Sequence, residues 1–435
     1  MALTDDQRRV LDCIDQDFMV KFAVELTNIF SPTGNERPAS EFVYQTMLSM
    51  GLRAKLQEIT STRANAVCEL SGTGGGMSIM FNGHMDISYT GKETYVPGGD
   101  LAMFKESAGV TGFTQEPCRI ENGWIRGNGI RNMKSAMAAY LGAVNAIMKS
   151  GVRLKGDLLV AAVAGEIEKS VLDEYRGQDY DGYGVGSRYL VLHGGVADCC
   201  VIGEPTALSL VRGNMGTTWV KISIRGDITH TAWCDKVINP IERMVKFIHM
   251  IQEWIPGYQK RHMYLNTKPQ VNIGAIQGGW PWRLARTPGY CHLYVDVRTI
   301  PGQSPLEVKE DFQDMLSKIK ESDPTIDIEI DLVVTSPAGV IEEDEPVAQA
   351  IKKSHEAVFG KPVTERFDNP TADAVHLIRY GVPTLTYGPA GKNPPGRADY
   401  GYGWQSIEDL TQCSRVYALA ALDICSRSRK KRIEA

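Results

Sequence analysis

No stretch of this chain approaches the ~20 apolar residues needed to cross a bilayer. Its opening, MALTDDQRRVLDCIDQDF, is polar and acidic and lacks the apolar core of a secretory signal. A membrane span and an export signal are therefore not expected. Basic charge is also short. There are 47 Lys and Arg against 52 Asp and Glu, a formal net charge of -5, without the basic face of a nucleic-acid binder. The single basic run, Arg427 to Arg432, reads as a solvated tail. The cysteines (Cys13, Cys68, Cys118, Cys199, Cys200, Cys234, Cys291, Cys413 and Cys425) are odd in number and show no CxxC spacing. They read as reduced, mostly buried thiols, which points to the cytoplasm. Internal repeats and low-complexity tracts are absent as well.

What is present is an ordinary globular composition, 43% hydrophobic and 23% charged, over 435 residues. That length predicts two domains. Residues 6 to 30 and 38 to 50 read as helices. NAVCEL, MSIMFNGHMD, DLLVAAVAGE and ADCCVIGEP read as strands, with a small-residue helix over 132 to 150 between the second and third. Strands alternating with helices predict an α/β layer fold with a mostly parallel sheet. After Glu204 the pattern changes. TTWVKISIRGDITHTA alternates like an antiparallel strand; a helix (239 to 254), two strands, a helix (305 to 320) and IDIEIDLVV follow. These predict a compact α+β unit inserted into the first. The expected division is 1–208 and 336–435 for the first domain and 209–335 for the insert.

Three apolar strands end in an ionisable group. FNGHMDIS places His84 at a strand's carboxyl end, where open α/β sheets carry their sites. Asp86, two residues on, is positioned to accept the second ring N–H of that histidine and fix its tautomer. VIGEPT ends in Glu204 and VAAVAGEIEKS in Glu166. A single such histidine would be a satisfied core residue, and a single such acid a loop residue. Three together fit a metal site, since buried carboxylates need a partner.

The succession FNGHMD, GNGIRNMKSAMAA, VAGEIEKS, VIGEPT resembles the aminoacylase, acetylornithine deacetylase and succinyl-diaminopimelate desuccinylase family of metallohydrolases. GNMGTTWVKISIRGDITHTA, QVNIGAIQGG, YVDVRTIPG and TADAVHLIRYGVPTLTYGPAG continue the resemblance over nearly the whole chain. It implies a zinc-exopeptidase-like catalytic domain with an inserted, ferredoxin-like dimerisation domain, and hence a homodimer or higher homo-oligomer. Residue by residue, it implies His84 and Glu204 as metal ligands, Asp86 as the acid orienting the histidine and Glu166 as the base acting on water. His230 is implied to steady negative charge in a neighbouring subunit's site, and Arg298 to bind a substrate carboxylate.

The sequence departs from that family where a second metal would sit. Asn132 stands at the bridging aspartate, Ile167 at an acidic ligand and Asp399 at the closing histidine. Asparagine offers a neutral carbonyl and isoleucine nothing. One divalent transition metal per site (manganese, zinc, cobalt or iron) is therefore expected, on His84 and Glu204 with Asp399 or Asn132 as further donors. The aromatic, arginine-rich segment GGWPWRLARTPGY adds Trp282, Arg283 and Arg286, which suit a small, flat, anionic substrate. With the reduced metal site, this segment resembles an atypical branch of the family that replaces an aromatic amino group by hydroxyl. The specific expectation is hydrolytic deamination of 5-nitroanthranilate to 5-nitrosalicylate and ammonia. The alternatives are amide hydrolysis of N-acyl amino acids or dipeptides, and a non-catalytic metabolite-binding protein.

Overall fold

The computed structural model describes residues 3–88, 110–111, 114–367, 370, 373–396 and 403–429. The chain divides into two compact units, one of Met1–Arg212, Val340–Arg366 and Ala372–Ala435, the other of Gly213–Gly339 and Phe367–Thr371.

The first unit opens with helices α1 (Asp5–Asp12), α2 (Gln16–Asn28) and α3 (Arg37–Ser49). The single helix expected over 6 to 30 is thus two. The break has a local cause: the Asp15 side chain accepts from Phe18 N at 3.0 Å and starts a fresh helix. Strands β1 (Arg53–Thr60), β2 (Arg63–Leu70) and β3 (Ile79–His84) follow. Then come α4 (Ser135–Ser150), β4 (Leu158–Val163), α5 (Val185–Leu192), β5 (Cys199–Ile202) and β6 (Leu210–Val211).

The second unit contains β7 (Gly216–Arg225), α6 (Pro240–Arg261), β8 (Gln270–Gly278), β9 (Tyr290–Thr299), α7 (Pro305–Ser322) and β10 (Asp327–Ser336). The chain then returns to the first unit with α8 (Pro346–Phe359), β11 (Glu365–Arg366), α9 (Ala374–Arg379), β12 (Thr384–Thr386) and α10 (Ile407–Ser426).

The sheet of the first unit has eight strands in the order β1-β2-β4-β3-β5-β12-β6-β11. Its middle, β4-β3-β5-β12, is parallel. The flank β1-β2-β4 and the β6–β12 pair are antiparallel, so the sheet is mixed. All six residues of β3 are buried, as a central parallel strand covered on both faces requires. Small residues let α4 come close. A Cβ on Gly142 would fall 2.3 Å from Met19 Sδ of α2. No helix among the described residues is long and apolar enough to cross a membrane.

The second unit is a four-stranded antiparallel sheet, β8-β9-β7-β10, with α6 and α7. The succession β-α-β-β-α-β in this order is the ferredoxin-like arrangement. It has its own core around Val220, Phe247, Leu293 and Phe312. Where the chain leaves and rejoins the first unit, Ile341 N donates to Arg212 O at 3.0 Å.

Candidate active site

Parallel strands β4, β3 and β5 lie side by side and all end at the same edge of the sheet. His84 is the last residue of β3. Glu166 follows β4 after two residues of loop, and Glu204 follows β5 after Gly203. One ligand atom from each of the three lies within 4.8 Å of the others. From His84 Nε2 the distance is 3.4 Å to Glu204 Oε1, 3.6 Å to Glu166 Oε2 and 3.1 Å to Asn132 Oδ1.

The ring is fixed from its other side. His84 Nδ1 lies 2.9 Å from the Asp86 main-chain oxygen and 3.3 Å from its carboxylate. A proton on Nδ1 satisfies both and leaves the Nε2 lone pair facing the carboxylates. Asp86 does more than orient the ring. Its carboxylate accepts from Glu166 N at 3.0 Å, Ile167 N at 3.1 Å and the Thr33 hydroxyl at 2.9 Å. It therefore fastens the loop that carries Glu166 to the end of β3. These bonds and the neighbouring imidazole outweigh its burial and lower its pKa to about 2.

Behind that loop lies a buried ion pair. Arg63 is 1% exposed and Glu36 0%, and the guanidinium donates through Nε at 3.0 Å and Nη2 at 3.1 Å. Arg63 Nη1 also donates to the Asp181 carbonyl at 2.7 Å. Gly165, with φ of 64°, leaves the room: a Cβ there would fall 1.9 Å from Arg63 Nη2. Burial, then the charge of Asp86, push the Glu36 carboxyl up to about 7.

The electrostatics are those of acids crowded out of water. Burial, then the charge of Glu204, hold Glu166 well above the usual carboxylate range. Burial raises Glu204 as well. Burial alone would lower His84, but the charges of Glu166 and Glu204 raise it well above its ordinary value. The residues suit a divalent cation. Glu204 Oε1 is buried without a hydrogen-bond partner among the described residues, and the Glu166 and Glu204 carboxylates crowd the same ring nitrogen. Such atoms repel one another unless positive charge lies among them.

The other expected residues fall elsewhere. Asp399 lies outside the described residues. His230, Arg283, Arg286, Trp282 and Arg298 all belong to the second unit. His230 and Arg286 form an isolated β-bridge, and Trp282 is 78% exposed on the same turn. Arg298 pairs with Asp296 at 2.8 Å. It stands eight residues along β9 from Tyr290, roughly 26 Å from the strand end nearest that turn. Within its unit, Arg298 is therefore not gathered with Arg283 and Arg286.

An α/β unit on one mixed eight-stranded sheet, an inserted ferredoxin-like unit and a His–Glu–Glu cluster at the strand ends define a class. This is the M20 peptidase fold, and the chain is a metal-dependent hydrolase of carbon–nitrogen bonds. Residues 212–324 match the peptidase dimerisation domain. Among curated relatives, the chain is 23% identical over 397 residues to the N-formyl-4-amino-5-aminomethyl-2-methylpyrimidine deformylase of Halalkalibacterium halodurans, covering 82% of this chain and 83% of that one. It is 27% identical over 244 residues to the acetylornithine deacetylase of Myxococcus xanthus, 55% of this chain and 61% of the other. Among solved structures, a dipeptidase from Saccharomyces cerevisiae superposes with a TM-score of 0.70 at 14% identity, covering 97% of this chain and 98% of that one.

Proposed function

We propose that this protein hydrolyses the amide bond of a small N-acyl or N-formyl compound, using one divalent cation held by His84 and Glu204, with Glu166 beside it as the base. The observation that carries the reading is the convergence of those three side chains, ligand atoms within 4.8 Å, at the ends of three adjacent parallel strands. Among the described residues it is the one group of this kind, which favours a single cation. Asn132 is close enough to add a neutral donor, and Asp399 remains a further candidate ligand.

A cation there supplies Lewis acidity, polarising the scissile carbonyl and making water easier to deprotonate. The chain's own residues supply the rest. Asp86 and Thr33 hold the Glu166 loop in place. Glu166 takes the proton from water and delivers it to the departing nitrogen, a task that a raised carboxyl pKa suits. We assign His230 to the site of a neighbouring copy, where it steadies negative charge on the carbonyl oxygen, and Arg298 to a substrate carboxylate. The match to a dimerisation domain supports a homodimer, and nine free thiols support a reducing, cytoplasmic setting.

Deamination of 5-nitroanthranilate gives way to this reading. The two curated relatives named above are a deformylase and a deacetylase. The aromatic, arginine-rich turn that suggested a flat substrate is largely exposed on the second unit. The test is direct. Purified protein with Mn²⁺ or Zn²⁺ is given N-formyl and N-acetyl amines, N-acyl amino acids and dipeptides, and free amine is measured. Turnover of these amides is expected. Ammonia from 5-nitroanthranilate without amide turnover would reverse the assignment.

A further inference from the structure

Asp373 opens helix α9 and is 2% exposed. Among the described residues, neither carboxylate oxygen has a donor in hydrogen-bond geometry. The buried Ser187 hydroxyl, which accepts from Asn82 Nδ2 at 3.2 Å, gives partial relief. An acid stranded in this way is costly to keep, and its surroundings add to the cost. A Cβ on Gly184 would fall 2.6 Å from Asp373 Oδ1. Gly184 N donates at 2.8 Å to the carbonyl of Gly165, the residue before Glu166. Asn82 precedes His84 by two residues on β3. Asp373 therefore lies just behind the His–Glu–Glu cluster, outside the set whose atoms come within 4.8 Å of one another. The other charges acting on it are His84, Glu204 and Asp86; after burial these set its carboxyl at about 7. Two of the three are acids. A buried acid with few donors and mostly acidic neighbours makes sense in a site that holds more positive charge than one imidazole.

We propose that Asp373 is a further carboxylate of the cation site that works through space, strengthening the binding of a divalent ion at His84 and Glu204 without ligating it. The proposal rests on the metal reading above and extends it to a residue that touches neither the ion nor the water it activates. Asp373 is thus a positioning charge.

The test measures binding, not turnover. Metal-free protein is titrated with Mn²⁺ and Zn²⁺ by calorimetry, for the wild type and for Asp373→Asn and Asp373→Glu. Removing one charge near a dication weakens its binding by about tenfold or more at the effective dielectric of a protein site. Asp373→Asn is expected to show that loss at unchanged stoichiometry. Asp373→Glu, which keeps the charge, is expected to lose distinctly less. If Asp373→Asn does not fold, Asp373→Ser removes the charge and leaves room for water. Unchanged affinity in a folded neutral variant overturns the proposal. So does equal loss in the glutamate and asparagine variants, which would make shape the cause. Intact affinity with a raised KM only for amine-bearing substrates would make Asp373 a substrate contact instead. If the wild type binds no divalent ion, the metal reading falls, and this proposal with it.

Discussion

Glu166 combines two demands: it must be ionised to take a proton and protonated to give it up. Its burial beside Glu204 lets one side chain approach both. Glu166→Gln keeps the volume and removes the proton carrier. Activity is expected to fall by about 10²- to 10⁴-fold while the protein remains folded; amine release and circular dichroism together check this. A second residue-scale prediction concerns pH. Burial, then the charge of Arg188, lowers His376 to about 4, and its Nε2 lies 3.0 Å from the Tyr183 carbonyl oxygen. Because the folded state disfavours the protonated ring, its contribution is complete above pH ~6.5 and is lost as pH falls toward 4. The loss should be on the order of 2–3 kcal/mol. His376→Gln should flatten the acid limb of a plot of urea stability against pH, and an unchanged limb would count against the assignment.

At the scale of elements, the Glu166 loop depends on the pair beneath it. Arg63→Met leaves Glu36 buried without its counter-ion, holding only the Gly34 N–H, at a cost of about 3–5 kcal/mol. Gly165→Ala should destabilise in the same direction, because its Cβ has nowhere to go beside Arg63. Thermal melts of the two variants check this, and wild-type stability in both would remove the clamp. These same elements separate what the sequence disclosed from what it hid. His84, Glu166 and Glu204 were legible because each ends an apolar strand, a pattern set by local burial. Arg63 and Glu36 were not, because a charged pair 27 residues apart looks in sequence like two solvated surface residues. Asp373 reads as an ordinary helix-start acid until its burial is known. The break in the first helix was missed because apolar spacing continues across Asp15, whose capping bond is invisible to periodicity. Trp282, Arg283 and Arg286 were legible as a group because one short turn carries them, whereas the distance of Arg298 from that turn shows only once β9 is extended.

At the scale of the whole molecule, the proposed function calls for a cation and a second copy that one chain does not supply. Chelation should leave several buried acids facing one another and lower the melting temperature, with recovery on adding Mn²⁺ or Zn²⁺ in proportion to the free ion. A melt insensitive to both treatments would argue against a resident cation. If His230 serves a neighbouring copy's site, His230→Ala and Glu166→Gln should each be inactive alone yet complement when mixed. Random reassortment into dimers restores about a quarter of wild-type activity. No recovery after verified exchange of subunits would confine His230 to its own chain.

The meeting of Arg212 and Ile341 has a consequence for how this protein can be taken apart. A segment of well over a hundred residues departs and returns through two positions already joined by a main-chain bond. Such a segment should be removable as a cassette. Replacing 213–339 with a short glycine-serine bridge should leave the eight-stranded sheet able to close without it. The excised piece carries its own sheet, helices and core, and should fold independently as a small protein.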